Sequence, residues 1–306
     1  MPLLNPVTSE TVAAALQQRV GMKVAPEAID LQYRDWRWVA ILPECIVFVA
    51  DSPAHAARLG RESRLLQLLR PRVHFYLPRI HALDTGFGLA VRGMVSGAQL
   101  GGEGRERRFA DRPQGARLAD ELGRALAELH AALSVAELSA LGFSTSEAIL
   151  PRPDVLETRL EGRIPDPKIM KTFDALIESY RGVEADPADI VLVHGDVWGG
   201  NLAVDLETGA LNGVFDFADA GIADRHLDLM YIHSFGAVFT ERLFASYAER
   251  SGRTVSPQRT ALYHAIAAFA ALAETANNAE DHLLEQRRRW VTAVCDGPVA
   301  RMALTH

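Results

Sequence analysis

Asp196, Asn201 and Asp216 are the residues whose types and spacing most directly imply chemistry. An amide oxygen and a carboxylate brought together at a strand end form a hard-oxygen site suited to Mg²⁺, which keeps its other positions for water and phosphate oxygens. Asp196 lies just upstream, on the loop that delivers Asn201. It is a free carboxylate able to accept a proton from an attacking hydroxyl. The combination describes phosphoryl transfer, in which the protein supplies positioning and charge neutralisation and little covalent chemistry.

The flanking sequence shows how these groups are to be positioned. Ile190–Val193 is a short apolar run, read as a buried strand, and it stops at His194-Gly195-Asp196. Gly199 and Gly200 allow a sharp turn before Asn201. Two further apolar segments, Leu202–Val204 and Leu211–Phe217, flank a turn at Glu207-Thr208-Gly209. Paired as a hairpin about Thr208-Gly209, with glycine supplying the positive φ, they place Asn201 opposite Asp216. The Cα atoms are then expected roughly 5 Å apart.

His194-Gly195-Asp196, Asn201 and Phe215-Asp216-Phe217 resemble the aminoglycoside phosphotransferase and choline kinase-like group, which shares the protein-kinase-like fold. The segment Gly221-Ile222-Ala223-Asp224-Arg225-His226-Leu227-Asp228-Leu229 is similar to that group's segment after the metal-binding Asp. The resemblance is strong over residues 190–230 and weak before 100. It implies a two-lobed α+β fold, with a small antiparallel-sheet N-lobe over 1–96 and a larger, mainly helical C-lobe over 97–306. It implies transfer of the γ-phosphoryl of ATP or GTP to a hydroxyl of a small molecule, aminoglycoside-like or another amino/hydroxy compound. Asp196 is then the base, and Asn201 and Asp216 hold Mg²⁺ on the phosphates. His194 is expected to brace the catalytic loop by hydrogen bonding, and Asp228 to act as an N-cap or a second brace. Met94-Val95-Ser96-Gly97 becomes the hinge, where backbone groups of Met94 and Ser96 meet the nucleotide base.

In the N-terminal part, a helix is expected over Val12–Val20, started by Thr8-Ser9-Glu10. Residues 29–42 read as strand, with Trp36 and Trp38 on one face and Arg34–Arg37 at the likeliest turn. Cys45–Ala50 is a more buried strand, Arg58–Leu69 an amphipathic helix, and Ile80–Leu83 and Leu89–Val95 further strands. Two departures from the group's pattern stand out. The basic residue expected on the third strand, which holds the α/β-phosphates, aligns with Phe48, and no lysine lies between Lys23 and Lys168. No glycine-rich loop joins the first strands. Glu62 stands where the group places the glutamate that pairs with that basic residue. It reads equally as a surface glutamate beside Arg58, Arg61 or Arg64. Arg34 and Arg37 are expected to be solvated turn residues, with phosphate binding as their alternative role. These departures support a second reading, a catalytically impaired kinase-like binding protein.

Further on, Gly101–Arg108 reads as a polar surface loop and Leu118–Leu133 as an amphipathic helix on which His130 packs or caps. Pro151 and Pro153 break the segment after Phe143, and helical periodicity returns over Lys168–Arg181. Trp198 either walls the substrate or packs, and Asp219 lies near the metal's water shell or caps a loop. Ala265–Leu284 reads as one Ala-rich helix on which Glu274, Asn277, Asn278 and Asp281 share a face. In the group, C-lobe helices receive the hydroxyl substrate, so Glu274, Asn278 and Asp281 are substrate candidates. The other reading of that face is the solvent side of the helix.

The 306 residues are 48% hydrophobic and 23% charged, which suits a globular protein with ample core. The net charge of −7 argues against nucleic-acid binding driven by basicity. Cys45 and Cys295 fit no metal spacing and are expected to stay reduced. With neither a signal-peptide pattern nor an apolar run of membrane-spanning length, the expectation is a cytoplasmic monomer or homodimer.

Overall fold

The computed structural model describes the chain apart from residues 1–3, 5, 35, 103, 146–148, 276–280 and 306. Helix α1 (Ser9–Val20) starts at a capping box between Thr8 and Thr11 and ends at Gly21, whose φ of 72° supplies the left-handed cap. Five antiparallel strands follow: β1 (Leu31–Arg34), β2 (Arg37–Ile41), β3 (Cys45–Ala50), β4 (Ile80–Asp84) and β5 (Leu89–Gly93), ordered β1-β2-β3-β5-β4. Residues 29–42 are thus not one strand. The chain reverses between Arg34 and Arg37, which pair with each other. Helix α2 (Pro53–Leu69) interrupts the sheet after β3, capped by the Ser52 hydroxyl with Pro53 in its first turn.

Alternation along the strands divides their side chains between two layers. Val47, Val49, Leu89 and Val91 pack towards Val12 and Leu16 of α1. Val39, Phe48, Ala50 and Ala90 pack towards Ala56 and Leu59 of α2. The second layer also contains charge, because Arg37, Glu62 and Arg92 are all buried.

The rest is mainly helical. Helices α3 (Arg105–Ala110), α4 (Pro113–Ala131), α5 (Val135–Ala140), α6 (Pro153–Leu160) and α7 (Pro167–Arg181) precede the short strands β6 (Ile190–Val193), β7 (Leu202–Val204), β8 (Leu211–Val214) and β9 (Gly221–Asp224). Helices α8 (Ala237–Ser251), α9 (Pro257–Thr275), α10 (Asp281–Asp296) and α11 (Pro298–Ala303) complete the chain. Strands β6 and β9 form one antiparallel pair and β7 and β8 another. Helix α4 packs along α8, and its Leu118, Leu122, Leu126 and Leu129 sit in one apolar core with Val214, Phe217, Leu243 and Tyr247. Helix α9 lies in a second core with α7 and α10.

This is a two-lobed, kinase-like α+β fold. The β7–β8 hairpin sits where the lobes meet. Ala98 and Val204 exchange both backbone hydrogen bonds, at 2.8 and 2.9 Å, and Tyr76 bonds to Asn212 and Val214. Cys45 and Cys295 are unpaired thiols. Among the described residues, no helix is long and apolar enough to cross a membrane.

Candidate active site

Strand β6 ends at His194, and the chain turns at Gly195 with φ of 88°. A Cβ there would lie 2.3 Å from the Asp219 carbonyl oxygen, so this position requires glycine for space as well as for conformation. The fully buried Asp228 carboxylate pins the turn, accepting from the backbone N–H of His194 and of Gly195 at 2.7 Å each. His130 approaches the same carboxylate at 3.0 Å through Nε2 and the Tyr247 hydroxyl at 2.8 Å through Nδ1. His194 Nδ1 accepts from the Asp196 N–H at 3.2 Å, which leaves its ring proton on Nε2, 3.0 Å from the Phe215 carbonyl. His194 and Asp228 therefore shape the loop from beneath.

Asp196 is half-buried, and Asn201 holds it. Asn201 Nδ2 donates to the Asp196 backbone oxygen at 2.9 Å and to Asp196 Oδ2 at 2.8 Å. Burial pushes the Asp196 carboxyl up to about 6, the nearby Asp219 and Asp216 push the same way, and His194 and the Asn201 hydrogen bond oppose them.

The hairpin register differs by one residue from the expected one. Leu202 pairs with Val214 and Ala203 with Gly213, and an irregularity then brings Val204 opposite Leu211. The partner of Asn201 is consequently Phe215, whose N–H donates to the Asn201 carbonyl at 3.1 Å. Asp216 lies beyond the strand end, and its φ of 63° is the one left-handed value among the described non-glycine residues. The turn itself is where it was expected, with Gly209 at φ 76°.

Asp216 meets the N-lobe through Arg37, whose Nη2 lies 2.6 Å from its Oδ1. Burial alone would raise the Asp216 carboxyl, but the charge and hydrogen bond of Arg37 outweigh it and hold the group below the usual range. Arg37 is not a solvated turn residue. It is 4% exposed and reaches Glu62 at 3.4 Å with its other terminal nitrogen. Nor is Glu62 a surface residue, because it is 3% exposed and held by Arg92 through both carboxylate oxygens. Arg92 joins this buried charge cluster although no motif singles it out. Its one sequence signal is a charge directly after the apolar strand residues Leu89-Ala90-Val91.

Asp196 opens onto a cleft of about 480 Å³ whose lining includes Arg58, Leu150, Asp219, Tyr231, Ala270 and Glu274. Arg58 bonds Asp219 at 2.9 Å and the Ala218 carbonyl at 2.8 Å, tying α2 to the segment after Asp216. Of the substrate candidates, Glu274 lines this cleft. Trp198 is not in that lining; its indole, on a residue 38% exposed, covers Gly200 and approaches Gly101. Asn277 and Asn278 lie outside the described residues. Residues 265–284 do not form one continuous helix, because α9, described as far as Thr275, and α10, described from Asp281, pack against each other. The shared face therefore does not run from Glu274 to Asp281. In the linker, the Met94 side chain is 51% exposed, and the Ser96 carbonyl accepts from Asn212 at 2.9 Å.

The residues meant for Mg²⁺ suit it chemically. Asp216 is an ionised, 43% exposed carboxylate. Asn201 commits its amide nitrogen to Asp196, so its oxygen is the donor left for a hard cation. Another acidic grouping, Asp189, Asp224 and His226, brings its ligand atoms within 4.8 Å of one another and by proximity could hold a metal. Its carboxylates are engaged by arginines, however. Asp189 takes Arg225 at 2.8 Å and Arg253 at 2.5 Å, and Asp224 takes Arg259 at 3.3 Å and the Tyr263 hydroxyl at 2.8 Å. Guanidinium groups already supply the positive charge there, which suits a brace at the end of β9.

The fold and the loop geometry define the class as a kinase-like protein. A family model described as the phosphotransferase enzyme family, APH, matches residues 28–290. The chain belongs to that family. It is 27% identical to an aminoglycoside 3'-phosphotransferase of Streptomyces fradiae over 107 residues, 32% of this chain and 39% of that protein, and so spans well under half of the relative's length in the match. Among solved structures, the GDP and kanamycin complex of APH(2″)-IIia superposes with a TM-score of 0.73 at 18% identity, covering 92% of this chain and 97% of the other. Macrolide 2'-phosphotransferase type I gives 0.65 at 16% identity, covering 95% and 99%.

Proposed function

We propose that this chain transfers the γ-phosphoryl group of ATP or GTP to a hydroxyl of a small molecule. The observation that carries this reading is the placement of Asp196 at the cleft, with Asn201 bonded to its Oδ2 and Asp216 close enough to raise its pKa. Asp196 orients the acceptor hydroxyl and takes its proton as the oxygen attacks phosphorus in line with the departing diphosphate. Asn201 and Asp216 would hold Mg²⁺, which supplies charge neutralisation to the phosphate oxygens. Met94 and Ser96 border the place for the nucleotide base, and Glu62 orders the phosphate side from within the N-lobe.

For the acceptor, an aminoglycoside-like or other amino/hydroxy compound is supported by family membership and by the acidic Glu274 and Asp219 in the cleft lining. The solved relatives that bind kanamycin, or are named for macrolides, show the range the fold accepts rather than the choice made here.

Calorimetric titration with ATP and with GTP, each with and without Mg²⁺, tests the nucleotide half of the reading. A phosphate-release or coupled assay on a panel of hydroxyl acceptors tests the other half. Metal-dependent nucleotide binding with turnover of at least one acceptor is the expected result. Failure to bind either nucleotide, with or without acceptor, overturns the reading and leaves a kinase-like binding protein.

A further inference from the structure

Phe48 occupies the strand position at which related kinase-like proteins are expected to carry a basic residue, yet the neighbourhood is not short of positive charge. Phe48 pairs with Val39 on one side and with Ala90 on the other. Arg37 and Arg92 lie two residues along from those partners, so the period-two alternation of strands puts both arginines on the face of Phe48. Both guanidinium groups lie over its ring, Arg37 at 4.5 Å and Arg92 at 4.7 Å from the centroid. The charge missing from β3 has been moved to its two neighbouring strands.

The two arginines are not equivalent. Arg92 is 3% exposed and places its terminal nitrogens on the two oxygens of Glu62 and, at 3.4 Å, on the Ser63 hydroxyl. It is the internal partner of the helix glutamate and has no reach left for a ligand. Arg37 spans the gap, with Nη1 3.4 Å from Glu62 and Nη2 2.6 Å from Asp216, a carboxylate that is itself 43% exposed. In the proposed reaction Asp216 holds the metal on the phosphates, so the sector between Glu62 and Asp216 is where the phosphates would lie.

We infer that Arg37, from the second strand, is the phosphate-contacting cation of this protein, while Arg92 takes over the pairing with Glu62. The inference rests on the phosphotransferase reading above. A phosphate oxygen seated beside Asp216 offers Arg37 Nη2 a second acceptor in place of, or together with, the carboxylate. The planar guanidinium suits such oxygens better than an ammonium would. Phe48 presents its π-face to both guanidinium groups. A single residue on one strand has been replaced by a pair with divided duties, one for the helix and one for the ligand.

The test compares Mg²⁺-dependent binding of ATP and GTP with binding of adenosine and guanosine by calorimetry. The proteins are the wild type, Arg37→Ala, Arg37→Lys and the double variant Arg37→Ala/Phe48→Lys. Glu62 keeps Arg92 in Arg37→Ala, so folding should survive, and Arg37→Gln takes its place if it does not. Arg37→Ala is expected to lose triphosphate affinity by about tenfold to hundredfold, the size of a charged hydrogen bond, with nucleoside affinity unchanged. Arg37→Lys should retain part of it, and Phe48→Lys should restore part of it to Arg37→Ala. Wild-type triphosphate affinity in Arg37→Ala overturns the inference while leaving the phosphotransferase reading intact. Equal loss for triphosphate and nucleoside also overturns it, because that pattern marks a structural role. No nucleotide binding by the wild type overturns both.

Discussion

Asn201 holds Asp196 by two hydrogen bonds from one nitrogen, to the backbone oxygen at 2.9 Å and to Oδ2 at 2.8 Å. The second favours the ionised carboxylate, while burial favours the protonated one and prevails, giving a value of about 6. A general base works only when deprotonated. Acceptor kcat/KM, which reports the free enzyme, should therefore rise with pH and level off above about 6. Removing the Asn201 bond removes a stabiliser of the ionised form, so the midpoint in Asn201→Ala should move to higher pH. A pH–rate profile that is flat between about pH 5 and 8 in the wild type would falsify the assignment of Asp196 as base.

Replacing Asp196 by Asn keeps its shape and removes the proton acceptor. Transfer should fall by about 10²–10⁴-fold, the usual range for a positioned base. Nucleotide affinity should stay close to wild type, because Asp196 faces the acceptor cleft. Single-turnover transfer measured beside calorimetric nucleotide binding separates the two, and near-normal transfer in Asp196→Asn would remove the residue from the chemistry.

Asp228 presents a different expectation. It lies behind the cleft wall, fully buried, where it receives two backbone N–H groups and His130. Removing one partner from a buried charged network typically costs about 3–5 kcal/mol. Asp228→Ala should lower stability by an amount in that range in urea denaturation. Transfer should fall too, through misplacement of the His194–Asp196 loop. Unchanged stability would show that the loop holds its shape by other contacts.

The site was legible where chemistry and short-range spacing coincide. His194, Gly195, Asp196 and Asn201 lie within eight residues, and their contacts are local or made by backbone. The β7–β8 turn was readable for the same reason, since Gly209 marks it. The one-residue register difference was not, because it depends on an irregularity at Val204 that neither alternation nor turn type announces. Arg37 and Arg92 were obscured by a general rule: arginines are usually exposed. Their burial depends on Glu62, 25 and 30 residues away in sequence, and on Asp216, 179 residues from Arg37. Such long-range charge pairing has no local periodicity. The separation of α9 from α10 is hidden because helical periodicity runs on from the Ala-rich α9 sequence into the residues of α10.

The arginine-rich cluster around Asp189 and Asp224 should show itself in acid. Burial would raise the Asp224 carboxyl, but His226 and Tyr263 outweigh it and hold the group below its ordinary value of 3.8. With the folded pKa depressed, its stabilising contribution is present above pH 3.8 and is lost as pH falls through the lower folded value. Thermal denaturation followed downward from about pH 6 should show a smaller acid-induced decline in Asp224→Asn than in the wild type. Because arginines already neutralise these carboxylates, a chelator should leave the wild-type Tm unchanged in the absence of nucleotide. A fall in Tm on chelation would show a resident cation.

Glu274 is the one acidic residue contributed by α9 to the cleft lining, where Ala267, Ala270 and Ala271 leave the helix wall small and apolar. An exposed carboxylate beside such a wall is placed to meet a cationic group of an acceptor whose hydroxyl lies at Asp196. The interaction would exist before and during the reaction alike, so its loss should raise KM more than it lowers kcat. For an amine-bearing acceptor, Glu274→Gln should raise KM by about tenfold, corresponding to about 1.4 kcal/mol, with kcat changed by less. A neutral acceptor of similar size should be indifferent to the substitution. If KM is unchanged for every acceptor turned over, Glu274 belongs to the solvent side of α9, and the amine is recognised elsewhere in the cleft.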